Sequence, residues 1–273
     1  MAKIHKTAIV HKDVKIGENV TIGPYCILDS PKIVLEDGVH LKSFVSVEGN
    51  VVIGKGTKIA SYASIGAPTT NLTFRGEETF VRIGENCDIR EYVSINSSCG
   101  EKTSVKVGKN CLLMPYSFVA HNCLLGDNVI LTNGATLAGH VKIGDFAILG
   151  GLCAIAQHLR VGDHAIVGGG SMVGMDVPPF TMCSGYPCKA YSLNIVGMKR
   201  RQFPAAIQRN LAKAFRLTYK MGLRWSDAKE QILATIPQST YIDNWIEFCS
   251  STKKGLIFYR KEVAEASGNK CLL

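Results

Sequence analysis

The run VGKNCLLMPYSFVAHNCLLGDNVILTNGATLAGHVKIGDFAILGGLCAIAQHLRVGDHAIVGGGSMV, residues 107–173, carries an aliphatic residue at every sixth position. Val107, Leu113, Val119, Leu125, Leu131, Leu137, Ile143, Leu149, Ile155, Val161, Val167 and Val173 fall on that period without a slip. Neither the helical period nor strand alternation can produce it over this length. The flanking positions follow rules as well. Glycine often comes next, as at Gly108, Gly126 and Gly144, and Asn or Gly, which tolerate left-handed backbone, often stand three residues on, as at Asn110, Asn122, Asn128 and Gly134. Small side chains such as Ser117, Ala135 and Ala147 sit two residues before.

One geometry explains all three rules. A short strand ends in a tight turn, three strands make an 18-residue coil, and coils stack in parallel about 4.8 Å apart. The aliphatic side chain fills the interior of a narrow prism. The same period holds upstream from Ile4 to Leu28, from Leu35 to Ile65 and from Ile83 to Ile95. The expected fold is therefore mainly β, a left-handed parallel β-helix over residues 1–190, with a small basic α-helical domain over 191–273. Two segments, Gly66–Arg82 and Asn96–Lys106, break the period and are expected to project as loops at corners. Val177-Pro178-Pro179 is expected to end the coils, because proline supplies no ladder donor.

Composition narrows the function. Of the formal charge of +9, a net of +1 lies in residues 1–190 and +8 in residues 191–273. A basic third admits nucleic acid as a partner, but no nucleic-acid motif accompanies it. The start, MAKIHKTAIVHKD, lacks the apolar stretch of a signal peptide. The longest uncharged apolar run, Phe146–Ala156, is too short to span a membrane. A cytoplasmic protein is expected. Cys26, Cys87, Cys111, Cys123 and Cys153 share the small-residue slot and read as packing groups rather than as disulfides or a zinc site. Cys183 and Cys188, in the CSGYPC turn, are the pair least explained by packing.

The tail reads as helical. Pro204 starts one helix, with Ile207, Leu211, Phe215 and Leu217 or Tyr219 near one face. Ser226-Asp227 suits the N-cap of a second, and Thr240 with Asp243 a capping box for a third. The last dozen residues, EVAEASGNKCLL, read as frayed.

The coil length also places chemistry, since residues 18 apart share a corner. His121, Gly139 and Gln157 stack, with His140 and His158 beside the last two. His140, His158 and His164 occupy the left-handed slot, where a turn role suffices to explain them. His5, His11 and His40 lack polar company and read as surface. His121 sits two after the aliphatic, where other coils carry Glu85, Lys109, Asp127 or Asp145. That slot predicts a solvent-facing imidazole, a suitable general base at neutral pH. The glycines at 168–171 precede no helix, so a phosphate loop is not supported, and the histidine spacing does not suit a metal site.

AHNC at 120–123, LAGHV at 137–141, DVPPF at 176–180 and NIVGMKRRQF at 194–203, in this order, resemble the UDP-N-acetylglucosamine acyltransferases of lipid A synthesis. The resemblance covers nearly the whole chain. It implies a homotrimer that moves a fatty acyl group from acyl carrier protein to the 3-hydroxyl of UDP-N-acetylglucosamine, with no cofactor beyond the thioester donor and no metal. It makes His121 the general base and Gly139 the oxyanion-stabilising backbone N–H. It gives substrate contacts to Asn71, Thr73, Arg75, Asn122, His140, Gln157, Asn194, Arg200 and Arg201, and makes Gly169 the hydrocarbon ruler. The sequence departs from the family pattern at Asn71, Thr73, Asn96, Phe118, Asn122, Ala156 and Val196, with Asn122 standing where Asp is usual. These departures leave a second reading, a paralogue acting on a different UDP-amino sugar, including by N-acylation. A third reading is a hexapeptide scaffold without activity.

Overall fold

The computed structural model describes residues 1–260. Short strands, mostly of two residues, alternate among three parallel sheets, here called faces A, B and C. One coil runs Leu112–Leu113 on A, Phe118–Val119 on B and Leu124–Leu125 on C, and the next begins at Ile130–Leu131. Phe118 pairs with Thr136 and Val119 with Leu137, the 18-residue register the repeat requires. The left-handed parallel β-helix is thus the fold. Its axis is filled by the periodic aliphatics, with Leu113, Val119, Leu131, Leu137 and Leu149 fully buried. The first coil covers itself on one side only, and Ile4 and Ile9 stay 49% and 64% exposed.

Corners supply the tight turns. Asn110, Asn122 and Asn128 have φ between 55° and 58°, as their slot predicts. On the AB corner the same slot holds bulky rings instead: Tyr25, Phe44, Tyr62, Tyr92 and Tyr116 at φ 57–65°. Their rings stack at 4.9–5.0 Å from coil to coil. Stacking against the coil above and below offsets a backbone conformation that L-residues resist.

Both breaks in the repeat leave the same corner. The first chain segment departs after Ser64–Ala67 on B and returns at Phe80–Ile83 on C. The second departs after Ser94–Asn96 and returns at Ser104–Val107. The loops proper, 68–79 and 97–103, are therefore shorter than the breaks in the period, because strand pairing resumes before the aliphatic register does.

Coil stacking does not stop at the two prolines. Val177 bridges Val161, and Thr181–Ser184 continues face A in parallel register, Ile166 opposite Met182 and Val167 opposite Cys183. Pro178 and Pro179 lie in the turn before Phe180, itself at φ 58°, where no ladder donor is needed. Lys189–Leu193 then returns antiparallel and closes the end. Cys183 and Cys188 flank this hairpin at 0% and 6% exposure, so packing explains them as well as the five slot cysteines. The slot thiols of Cys87, Cys111 and Cys123 donate to backbone carbonyls of the next coil at 3.1–3.2 Å.

Four helices follow: α1, Ile195–Arg200; α2, Ala205–Tyr219; α3, Trp225–Thr235; and α4, Thr240–Ser250. α2 begins after Pro204 as expected and buries Leu211, Ala214, Phe215 and Leu217. The other caps shift by a residue or two. α3 starts at Trp225, which puts Asp227 in its first turn beside Arg224. α4 is capped by Ser239 Oγ, which accepts from Ile242 N–H, so Thr240 is already helical. The expected frayed end, 262–273, lies outside the described residues. The helices are tied to the coils through an ion pair with a buried carboxylate, Arg160 Nη2 to Asp176 Oδ2 at 2.9 Å, with the guanidinium 4.2 Å above the Phe248 ring. No described helix is long and apolar enough to cross a membrane.

Candidate active site

The BC corner brings together five of the expected residues. His140 N–H donates to the His121 carbonyl and His158 N–H to that of Gly139, each at 3.0 Å, so three consecutive coils stack there. Asn122, His140 and His158 hold left-handed backbone at φ 58°, 61° and 65°. The His121 and His140 rings meet edge-on at 5.2 Å, and His140 stacks on His158 at 4.5 Å. Burial and the two neighbouring imidazoles push the His140 pKa down, which favours the neutral ring. Gln157 lies exposed above Gly139.

His121 is not the open side chain its slot suggests. It is only 8% exposed, because both loops fold back over the corner from which they leave. Asn71, on the first loop, places Nδ2 3.3 Å from His121 Nε2. Asn122 Oδ1 lies 2.8 Å from His121 Nδ1. The second loop fixes that amide: Cys99 N–H donates to Asn122 Oδ1 at 3.2 Å, and Asn122 Nδ2 donates to the Cys99 carbonyl at 3.0 Å.

These bonds determine the imidazole tautomer. The Cys99 peptide presents one donor and one acceptor, so the Asn122 oxygen must face its N–H and hence also His121. Nδ1 of His121 is then the protonated nitrogen, and Nε2 carries the lone pair. The other amide agrees. Asn71 Oδ1 accepts from Thr73 N–H at 2.9 Å and from Thr73 Oγ1 at 2.8 Å, which turns its NH2 group toward Nε2. The hydrogen bonds thus leave the Nε2 lone pair facing one donor, the Asn71 amide.

Gly139 lies directly over this ring. A Cβ at position 139 would overlap His121 Cε1 and Nε2, so only glycine allows the imidazole to lie across it. Its N–H donates to no acceptor among the described residues. A backbone donor left free beside a basic nitrogen suits an anion that develops during reaction.

The remaining expected residues lie elsewhere. Arg75 sits on the first loop, but its guanidinium folds back onto the Leu72 and Phe74 carbonyls at 2.7 and 3.1 Å. Gly169 is on the AB corner, where a Cβ would come 3.2 Å from the Gly151 carbonyl oxygen. Asn194, 1% exposed, caps α1: Oδ1 accepts from Gly197 N–H at 2.8 Å and Nδ2 donates to the His164 carbonyl at 2.9 Å. Arg201 lies 4.6 Å over the Phe146 ring, and Arg200 is exposed at the end of α1. Asn194 and Arg201 thus pack against the CA corner, one edge of the prism away from His121. Burial, followed by the Arg201 charge, lowers the His164 pKa there to about 4.

Sequence reasoning missed Cys99. Its contribution is a peptide group, and no side-chain pattern announces that. Among the described residues no three or more His, Cys, Asp or Glu side chains are arranged to hold a metal ion.

Residues 104–139 match the bacterial transferase hexapeptide model of six repeats, and residues 176–257 match domain 2 of UDP N-acetylglucosamine O-acyltransferase. The chain is 43% identical over 258 residues to an acyl-[acyl-carrier-protein]–UDP-N-acetylglucosamine O-acyltransferase from Thermodesulfovibrio yellowstonii, covering 94% of this chain and 99% of that one. It is 46% identical over 254 residues to the protein of the same name from Chlamydia pneumoniae, covering 93% and 91%. A solved UDP-N-acetylglucosamine acyltransferase from Bacteroides fragilis superposes with a TM-score of 0.91 at 35% identity, over 93% of this chain and 99% of its own. On these nearly full-length matches the chain belongs to the acyl-[acyl-carrier-protein]–UDP-N-acetylglucosamine O-acyltransferase family.

Proposed function

We propose that this protein transfers a fatty acyl group from acyl carrier protein to the 3-hydroxyl of UDP-N-acetylglucosamine, the first step of lipid A biosynthesis, in the cytoplasm and with no cofactor beyond the thioester donor. The observation that carries the mechanism is the fixed His121 tautomer beneath Gly139. The sugar hydroxyl displaces Asn71 from Nε2 and gives up its proton there as its oxygen attacks the thioester carbonyl. The oxyanion faces the Gly139 N–H, and the imidazolium returns its proton to the leaving thiolate. Asn122 orients the ring but, being neutral, does not offset the imidazolium charge.

His121, Asn122, His140 and Gln157 share one corner, while Gly169 and the group Asn194, Arg200 and Arg201 lie at the other two. A single prism therefore does not enclose all the residues assigned to substrate. This supports a homotrimer in which a cleft between subunits joins corners of different copies. We assign Asn71, Thr73 and Arg75 to the sugar side, Arg200 and Arg201 to the nucleotide, and Gly169 to the acyl-chain limit.

The test is turnover with 3-hydroxymyristoyl- and myristoyl-acyl carrier protein against UDP-N-acetylglucosamine and its 3-amino analogue. Ester formation on the hydroxyl sugar is expected. Turnover of the amino sugar alone would overturn the sugar assignment, and absence of turnover with every pair would favour a scaffold.

A further inference from the structure

Immediately beyond His121, toward the C-terminal coils, a cavity of about 360 Å3 opens on face C. The stacked rings of His140 and His158 line one side of it. Lys142 enters from the strand beside Arg160, and Lys253 and Lys254 from the chain segment after α4. All three lysines are exposed and form no ion pair or side-chain hydrogen bond among the described residues.

One carboxylate also borders this space, and it is fully occupied. Asp176 Oδ1 accepts from Arg160 N–H at 2.8 Å. Its Oδ2 accepts from Arg160 Nε at 3.0 Å, Arg160 Nη2 at 2.9 Å and Thr252 Oγ1 at 2.9 Å. Arg160 and Asp176 therefore cancel each other, and three lysines line a concave space with no unpaired carboxylate among the described residues. Like charges gathered in this way repel unless an anion sits between them. Lysines are suited to a phosphate, which they bind as point charges without requiring a planar partner.

Position indicates which phosphate. His158 is two coils from His121, about 10 Å along the prism. On the other side of His121 the loops 68–79 and 97–103 cover the corner, and the Asn71 amide points in from there. The open approach is the cavity side, where the basic C-terminal segment crosses.

We propose that this cavity binds the phosphodiester of the acyl donor's phosphopantetheine arm, with Lys142, Lys253 and Lys254 as its ligands. The assignment rests on the acyl-carrier reaction proposed above. It leaves the sugar nucleotide's diphosphate to the arginines of the CA corner.

The triple variant Lys142→Gln, Lys253→Gln, Lys254→Gln tests this. With acyl carrier protein or acyl-phosphopantetheine as donor, KM should rise about tenfold or more, the scale of losing charge-assisted bonds. With acyl-pantetheine, which lacks the phosphate, the variant should match wild type, and KM for the sugar nucleotide should not change. An equal loss with acyl-pantetheine, an unchanged KM for the phosphorylated donors, or a rise confined to the sugar nucleotide would each overturn the assignment. Direct calorimetric binding of phosphopantetheine and pantetheine separates this from the reaction itself. Wild type should bind the phosphorylated form more tightly, and the variant should lose that preference. Equal binding of both forms by wild type would refute the site whatever the transfer assay shows.

Discussion

At the level of single residues, His121 is held in one protonation pattern by two neutral amides rather than by a carboxylate. Replacing His121 with Ala should cut turnover by ~100- to 10,000-fold, the range of a general base, while the mass in solution stays unchanged. An active variant would refute the mechanism. Asn122→Asp places a negative charge 2.8 Å from Nδ1, which favours the imidazolium. The acidic limb of the kcat/KM profile should then move to higher pH by about one unit. A limb that stays still or moves down would show that the side chain does not face the ring. Gly139→Ala is the cleanest steric test, since its added methyl would meet the His121 ring before anything else. Its thermal midpoint should stay near wild type while kcat collapses. The importance of His121 was legible in the sequence, because an imidazole in a slot of acids and lysines calls for a reason. Its burial was not legible, because that depends on the path of two loops, and a repeat specifies where loops leave but not where they go.

At the level of elements, the coils were the most readable part, since each aliphatic at its sixth position has one place to go in a prism this narrow. The helices were less so. α1, IVGMKR, is too short to show a period and contains Gly197. At the caps, several neighbouring hydroxyls and carboxylates could each serve, and Ser239 took the role that Thr240 could have filled. The aromatic ladder hid for a different reason: tyrosine is a poor left-handed residue alone and becomes acceptable only when stacked on its neighbours. The joint between coils and helices depends on Arg160 and Asp176, of which the carboxylate is almost wholly buried. Asp176→Ala removes the acceptor that joins Arg160 to Thr252 and should destabilise the protein by about 1–3 kcal/mol, readable by urea denaturation. His164 gives this region a pH dependence. Its folded pKa, about 4, lies below the unfolded value, so the unfolded chain binds more protons between those limits. Stability should fall as pH drops from about 6.5 toward 4, and His164→Asn should flatten that fall.

At the level of the whole molecule, the uneven charge acquires a use. A nearly neutral solenoid followed by a strongly basic third suits the docking of an acidic carrier protein, the donor proposed above. Raising salt should therefore raise KM for the carrier, with less effect on acyl-pantetheine. Indifference to ionic strength would count against that docking mode. The two ends of the prism differ as well. One is sealed by the Lys189–Leu193 hairpin and the helices, while the first coil leaves Ile4 and Ile9 uncovered. In a stack where each coil is stabilised only by its neighbours, the uncovered end is where amide protons should exchange first. Opening then proceeds one coil at a time from residue 1, like a zipper with a stop at its far end, and it would cross several coils before reaching the turn that holds His121.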